Sequence, residues 1–296
     1  MSAIESVDYA SLLTSGSPQT LLRSLGKDGV AFVRGGVPAQ FGRDAQAAAT
    51  RLFGLPDKVK SELVSSTAME PGFGPYGQAR AMDTGIPNLL ESWTISPHSP
   101  VNVPAERVED WYVLVAFARQ LRALAENLVV AIDLAWDAKG VFVDAVCRDM
   151  FPLHLLHYPA GLLGTDPGAR RQSVHVDSSL ITLLPPALGK GLAYAQDGRL
   201  VPLDVPAGSV AVIAGSLLEF LTSARIPACR HTVETPAGAA AEDRISFTYF
   251  VNARPNMTLR PVQPGGEFGE EGRQLDTSSH LQHYMEKVYS EPRSPE

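Results

Sequence analysis

The chain's 296 residues are 45% hydrophobic and 19% charged, enough apolar material for a sizeable core in one structural domain with attached helices. Twenty-five basic residues against 32 acidic ones give a formal net charge of −7, which argues against a nucleic-acid partner. No apolar run reaches the roughly 18–20 residues that cross a bilayer, so no membrane partner is expected. The opening "MSAIESVDYA" has neither the basic nor the apolar region of a secretory signal. Cys147 and Cys229 lie far apart without CxxC spacing and read as buried thiols of a reduced, cytoplasmic setting.

Residues 1–104 read as an N-terminal α/β region wrapping the core. "GVAFVRGGVP" (Gly29 to Pro38) predicts a strand ending at a Gly-Gly-Val-Pro turn. "AQFGRDAQAAATRLFGLP" predicts a helix, Ala-rich inside and stopped by Gly54 and Pro56. Met69 to Pro104 shows many Gly and Pro and no sustained period, and is read as a loop. Its aromatics Phe73, Tyr76 and Trp93 are candidates to line a substrate pocket, because long structured loops collect binding residues. Arg80 in the same stretch reads as solvated.

Residues 105–150 read as scaffold helices. From Ala105 to Trp136, Val108, Trp111, Val115, Ala118, Leu121, Ala125, Leu128 and Ile132 recur at spacings of three and four and build one apolar stripe. A second helical piece is expected from Lys139 to Arg148.

Residues 151–296 have a different texture. "LHLLHY", "SVHV", "LITLL", "LAYAQ", "LVPLDV", "SVAVIAG", "RHTVE" and "RISFTYFV" are short β-like runs separated by turns such as Gln196-Asp-Gly-Arg199 and Pro206-Ala-Gly-Ser209. They predict a mainly β core, a barrel or double-sheet jelly roll, with flanking helices. Pro236 to Asp243 reads as a surface turn and Pro261 to Gly272 as a mobile stretch. "SSHLQHYMEKVYS" reads as a closing helix packed back across the barrel.

Within "RQSVHVDSSLITLL", His175 and Asp177 stand two apart on a predicted strand and so share one face. A lone carboxylate inside a barrel is strongly disfavoured, and a metal ion changes that balance. His231, opening "RHTVE", is the best third ligand. Two histidines and one carboxylate leave open coordination positions, as in non-haem Fe(II) oxygenases. Arg244 and Ser246 alternate on a later strand and form a clamp suited to a carboxylate, with the Tyr158 hydroxyl offered from a third strand. Phe250 and Asn252, farther along the Arg244 strand, are further pocket candidates. His154 and His157 alternate poorly with Tyr158, and His157 reads as a supporting or surface residue. His98, His280 and His283 read as surface.

The ordered set "HVDSSLITLL", "GLAYAQDGRLVPLDVPAGSVAVIAG", "RHTVE" and "RISFTYFV" resembles the C-terminal half of the isopenicillin-N-synthase-like Fe(II)/2-oxoglutarate dioxygenases. "GVAFVRGGVP" and "LFGLPDKVK" resemble that family's N-terminal region. The resemblance implies a double-stranded β-helix (jelly roll), Fe(II) on His175, Asp177 and His231, and the cosubstrate 2-oxoglutarate on Arg244, Ser246 and Tyr158. It also implies O2-dependent oxidation of a small-molecule substrate, with hydroxylation as the default and desaturation or cyclisation on the same residues. Leu156 stands where the family often has Asn, so one cosubstrate contact is missing or supplied differently. Gly215-Ser216 replaces the usual Gly-Asp. Asp177 stands where halogenating relatives have a small residue, so halogenation is not expected. Two alternatives stay open: a 2-oxoglutarate-independent iron oxidase of the same fold, and a non-catalytic β-barrel that binds a small ligand. The sequence leaves the substrate's identity and the oligomeric state open.

Overall fold

In the computed structural model, residues 4–14, 16–65, 70–98, 100, 103–146, 152–160, 170–234, 242–269 and 273–289 are described. The N-terminal region holds β1 (Ser6–Asp8), α1 (Ser17–Asp28), β2 (Val30–Arg34), α2 (Ala39–Phe53), α3 (Asp57–Ser61), β3 (Gly72–Gly74) and β4 (Glu91–Ile95). The scaffold helices are α4 (Val108–Trp136) and α5 (Val141–Ala145). There follow β5 (Leu153–Tyr158), β6 (Gln172–His175), β7 (Ile181–Leu184), β8 (Leu192–Gln196), β9 (Arg199–Pro202) and β10 (Ser209–Ala214). After α6 (Ser216–Leu221) come β11 (His231–Val233), β12 (Arg244–Val251), β13 (Thr258–Leu259), β14 (Leu275–Asp276) and α7 (Thr277–Tyr289).

Eight strands form one sheet in the order β1-β2-β10-β7-β12-β5-β4-β3, and four form a second in the order β6-β11-β8-β9. The two sheets enclose a cavity between them, the jelly-roll arrangement that the sequence predicts. Alternation along β12 shows why. Ile245, Phe247, Tyr249 and Val251 enter the main core on the helical side, where Phe117 of α4 meets Phe247 edge-to-face at 5.1 Å. Arg244, Ser246, Thr248 and Phe250 line the cavity on the other side. β2 is buried on both faces: Ala31 and Val33 join the helical core, while Val30 and Phe32 join a smaller cluster between the sheets. The β8–β9 hairpin turns on Asp197 and Gly198, both at positive φ (50° and 74°), the geometry that Asp-Gly favours in a two-residue turn.

Several expectations need correction. Met69 to Pro104 is not simply loop, because it contains β3 and β4, and β4 pairs with β5 from Glu91↔His157 to Ile95↔Leu153. Trp93 points away from the cavity. It is fully buried, with Phe73 at 5.4 Å and Phe53 at 6.5 Å between ring centroids. Trp93→Ala should therefore cost about 3–5 kcal/mol of stability, measured by denaturant unfolding, whereas a pocket role would alter ligand affinity instead. The stretch after Pro261 is pinned rather than mobile over its described part. The Val262 carbonyl accepts from Trp136 Nε1 (3.0 Å), its N–H donates to the Leu221 carbonyl (2.8 Å), and the side chain is fully buried. The piece after Lys139 is helical only over Val141–Ala145, and residues 147–151 lie outside the described set, as does most of the proposed turn at Pro236 to Asp243.

Candidate metal centre and anion pocket

The register of β6 against β11 makes His175 and His231 direct partners, which sets their rings side by side with centroids 4.2 Å apart. Asp177 departs from the expectation: β6 ends at His175, so the aspartate sits on the loop beyond it. That loop is tied to the start of α6, where Ser216 N–H donates to the Asp177 carbonyl at 2.8 Å. A side chain at Gly215 would bring its Cβ within 2.0 Å of the Ser179 carbonyl oxygen, so only glycine permits this approach. Asp177 Oδ1 then lies 3.5 Å from His175 Nε2 and 3.8 Å from His231 Nε2.

Both imidazoles are set for the same task. His175 Nδ1 lies 2.9 Å from the Ser173 carbonyl and His231 Nδ1 lies 3.1 Å from the Cys229 carbonyl. A carbonyl can only accept, so each Nδ1 carries a proton and each Nε2 is turned toward the shared centre, where its lone pair is the one a cation would take. Burial, aided by His175, pulls His231 down to about 4, which keeps it neutral. Burial pushes the Asp177 carboxyl up, but the adjacent His231 and His175 outweigh it and hold the group at about 2. Asp177 is 2% exposed, and its Oδ2 has no hydrogen-bond partner among the described residues. One buried carboxylate with an orphaned oxygen faces two imidazole lone pairs, and one ligand atom from each residue falls within 4.8 Å of the others. That donor set fits a divalent cation such as Fe(II).

All three residues line a cavity of about 460 Å³. At its other end Arg244 and Tyr158 are cross-strand partners on β12 and β5. The guanidinium lies 5.0 Å from the Tyr158 ring centroid, and Nη1 donates to Ser246 Oγ at 2.6 Å. Arg244 lines the cavity, is 3% exposed, and its Nε has no hydrogen-bond partner among the described residues, so the cation is buried with spare donor capacity. Leu156, the partner of Ser246, contributes an apolar patch to this wall.

The structure thus brings together His175, Asp177 and His231, and separately Arg244, Ser246 and Tyr158. Phe250 and Asn252 line the same cavity. Phe73, Tyr76 and Trp93 do not: Phe73 and Trp93 belong to the core behind β4, and Tyr76 is 40% exposed outside the lining. Arg80, expected in solvent, is a half-buried part of the lining, with Nη1 donating to the Gly85 carbonyl at 3.1 Å. His154 shares the face of Tyr158 and lines the cavity, its ring edge-to-face with Phe250 at 5.2 Å. His157 points to the opposite side, where Nδ1 meets Glu91 Oε1 at 2.7 Å. His280 is not a surface residue: it approaches Ser216 Oγ at 3.2 Å, next to the Asp177 loop. Sequence reading also gave no role to Gln172 or to Leu281, Tyr284, Met285 and Val288, by which α7 covers the cavity. The apolar stripe at spacings of three and four in "HLQHYMEKV" was the available signal for the helix, but nothing in it marked a cavity.

Comparison with known proteins accords with this geometry. Residues 151–253 match the model of the 2OG-Fe(II) oxygenase superfamily. A 2-oxoglutarate-dependent dioxygenase of Gibberella zeae is 32% identical over 115 residues, 38% of this chain and 34% of that protein. 2-Oxoglutarate-dependent dioxygenase 19 of Oryza sativa subsp. japonica is 26% identical over 262 residues, 86% of this chain and 74% of the rice protein. Among solved structures, a full-length Neurospora crassa protein crystallised in complex with alpha-KG superposes with a TM-score of 0.81 at 22% identity, covering 95% of each chain. Residues 151–253 thus carry the 2OG-Fe(II) oxygenase pattern, and relatives similar over most of the chain's length are named 2-oxoglutarate-dependent dioxygenases. These similarities support a non-haem iron enzyme that uses 2-oxoglutarate and O2.

Proposed function

We propose that the enzyme oxidises a C–H bond of a small molecule, by hydroxylation in the default case, within the isopenicillin-N-synthase-like branch of the superfamily. In this reading His175, Asp177 and His231 hold Fe(II), and Arg244, Ser246 and Tyr158 hold the distal carboxylate of 2-oxoglutarate. The observation that supports it most is the pairing, in one cavity, of a three-ligand metal cluster with a buried arginine that has donor capacity to spare. Iron with 2-oxoglutarate and O2 supplies the oxidising power, and succinate and CO2 leave. The protein's share is placement and exclusion. The histidines keep their protons on Nδ1, Asp177 stays ionised, and Arg244 fixes the far end of the dicarboxylate. Phe250 from β12, Asn252 just beyond it, and Leu281, Tyr284 and Met285 from α7 flank the remaining space, which suits a largely apolar substrate held away from bulk water.

The test is a panel of small molecules offered with Fe(II), 2-oxoglutarate and O2, with succinate and oxidised product both quantified. Succinate formation that a substrate stimulates is the expected result. Substrate oxidation without succinate would transfer the assignment to a 2-oxoglutarate-independent oxidase.

A further inference from the structure

Gln172, the first residue of β6, spans the gap between the two halves of the site. Its Oε1 accepts from the Tyr158 hydroxyl at 2.9 Å, and its Nε2 lies 3.2 Å from His175 Nε2. The two contacts fix the orientation of the amide. With the proton on His175 Nδ1 engaged by the Ser173 carbonyl, Nε2 accepts and the Gln172 amide N–H, which can only donate, is the donor. A cation held by His175 takes that same lone pair. The amide N–H then loses its acceptor while its carbonyl end remains anchored on Tyr158. Leu90, Leu156, Leu192 and Val233, which surround Tyr158, offer only carbon. Gln172 lines the cavity between Tyr158, the strand partner of Arg244, and His175, so a dicarboxylate spanning Arg244 and the metal would run beside its amide.

We propose that Gln172 is a cosubstrate-binding residue whose side-chain amide donates to a metal-proximal oxygen of 2-oxoglutarate. This assignment rests on the iron and 2-oxoglutarate reading above. It gives the anion a polar contact on the β6 wall, beside the Tyr158 hydroxyl.

The experiment is an anaerobic Fe(II) titration followed by 2-oxoglutarate, read by calorimetry and by the visible charge-transfer absorption of the complex. The proteins are the parent chain, Gln172→Met, Gln172→Ala, Tyr158→Phe and the Tyr158→Phe/Gln172→Met pair. Both Gln172 variants should keep Fe(II) affinity within about twofold and bind 2-oxoglutarate about tenfold to a hundredfold more weakly, the range for a hydrogen bond to a charged group. The loss should persist in the Tyr158→Phe background. Unchanged 2-oxoglutarate affinity in the variants would overturn the assignment. So would an equal loss of iron, which would make Gln172 a support for His175. A loss that vanishes in the Tyr158→Phe background would overturn it too, since Gln172 would then act only through the tyrosine. If the parent chain itself takes up neither Fe(II) nor 2-oxoglutarate, the underlying reading fails and this assignment falls with it.

Discussion

His175→Ala should leave a folded protein that retains almost no iron and forms no succinate. The fold is expected to survive because β6 and β11 pair through their backbones and the His175 side chain makes no part of the main apolar core. The metal is expected to go because each ligand depends on the other two. Losing His175 removes one donor atom of the three that lie within 4.8 Å of one another and leaves Asp177 and His231 to hold the cation alone. Even residues that merely orient a ligand typically change metal affinity by about 10–100-fold, so loss of a ligand itself should exceed that range. Iron content after anaerobic reconstitution, measured beside circular dichroism, checks the point. Stoichiometric iron in the variant would remove His175 from the centre.

Arg244→Leu should act in the opposite sense on stability and on ligand binding. The guanidinium is buried with only part of its donor capacity used, an arrangement that costs desolvation in the empty protein. Leucine relieves that cost, so the melting temperature without ligand should be unchanged or higher. The carboxylate, in contrast, loses its countercharge in a dry site. Truncating one member of a buried charge pair costs about 2–5 kcal/mol, so the concentration of 2-oxoglutarate needed for half-saturation should rise by roughly two orders of magnitude or more. Thermal unfolding with and without 2-oxoglutarate measures both effects together. An undiminished ligand-induced shift would show that another cation holds the anion.

The parts of the site that were legible in the sequence are those whose spacing is set within one strand. Arg244 and Ser246 share a face because residues two apart on a strand must. The pairing of His175 with His231 needed more, since only the register of β6 against β11 brings them together, and the motif order supplied what spacing could not. Asp177 reached the centre despite a mistaken premise. It was placed on the strand, yet a loop tied to α6 delivers it. The failures share one physical cause. Phe73 and Trp93 lie among Gly and Pro residues that hide two short strands, β3 and β4, and which side of β4 faces the helices depends on β5, far along the chain. α7 was legible as a helix closing across the barrel, but which of its residues meet the cavity, and that His280 meets Ser216, depends on how the chain returns over it. Gln172 is a polar residue at the edge of a strand, and its meaning comes from Tyr158 and His175 on either side.

β12 works as a ruler. Successive inward-facing side chains along it are about 6.7 Å apart, with the proposed anion clamp at Arg244 and Ser246 near its start and Phe250 near its end, Asn252 following just past it. Because the strand is hydrogen-bonded to β5 along one edge and to β7 along the other, these intervals cannot drift independently. Exchanging Phe250 or Asn252 can reshape the cavity without moving the clamp. The same fixed scaffold can therefore be retuned to new molecules at one end while the shared oxidant chemistry stays in place at the other.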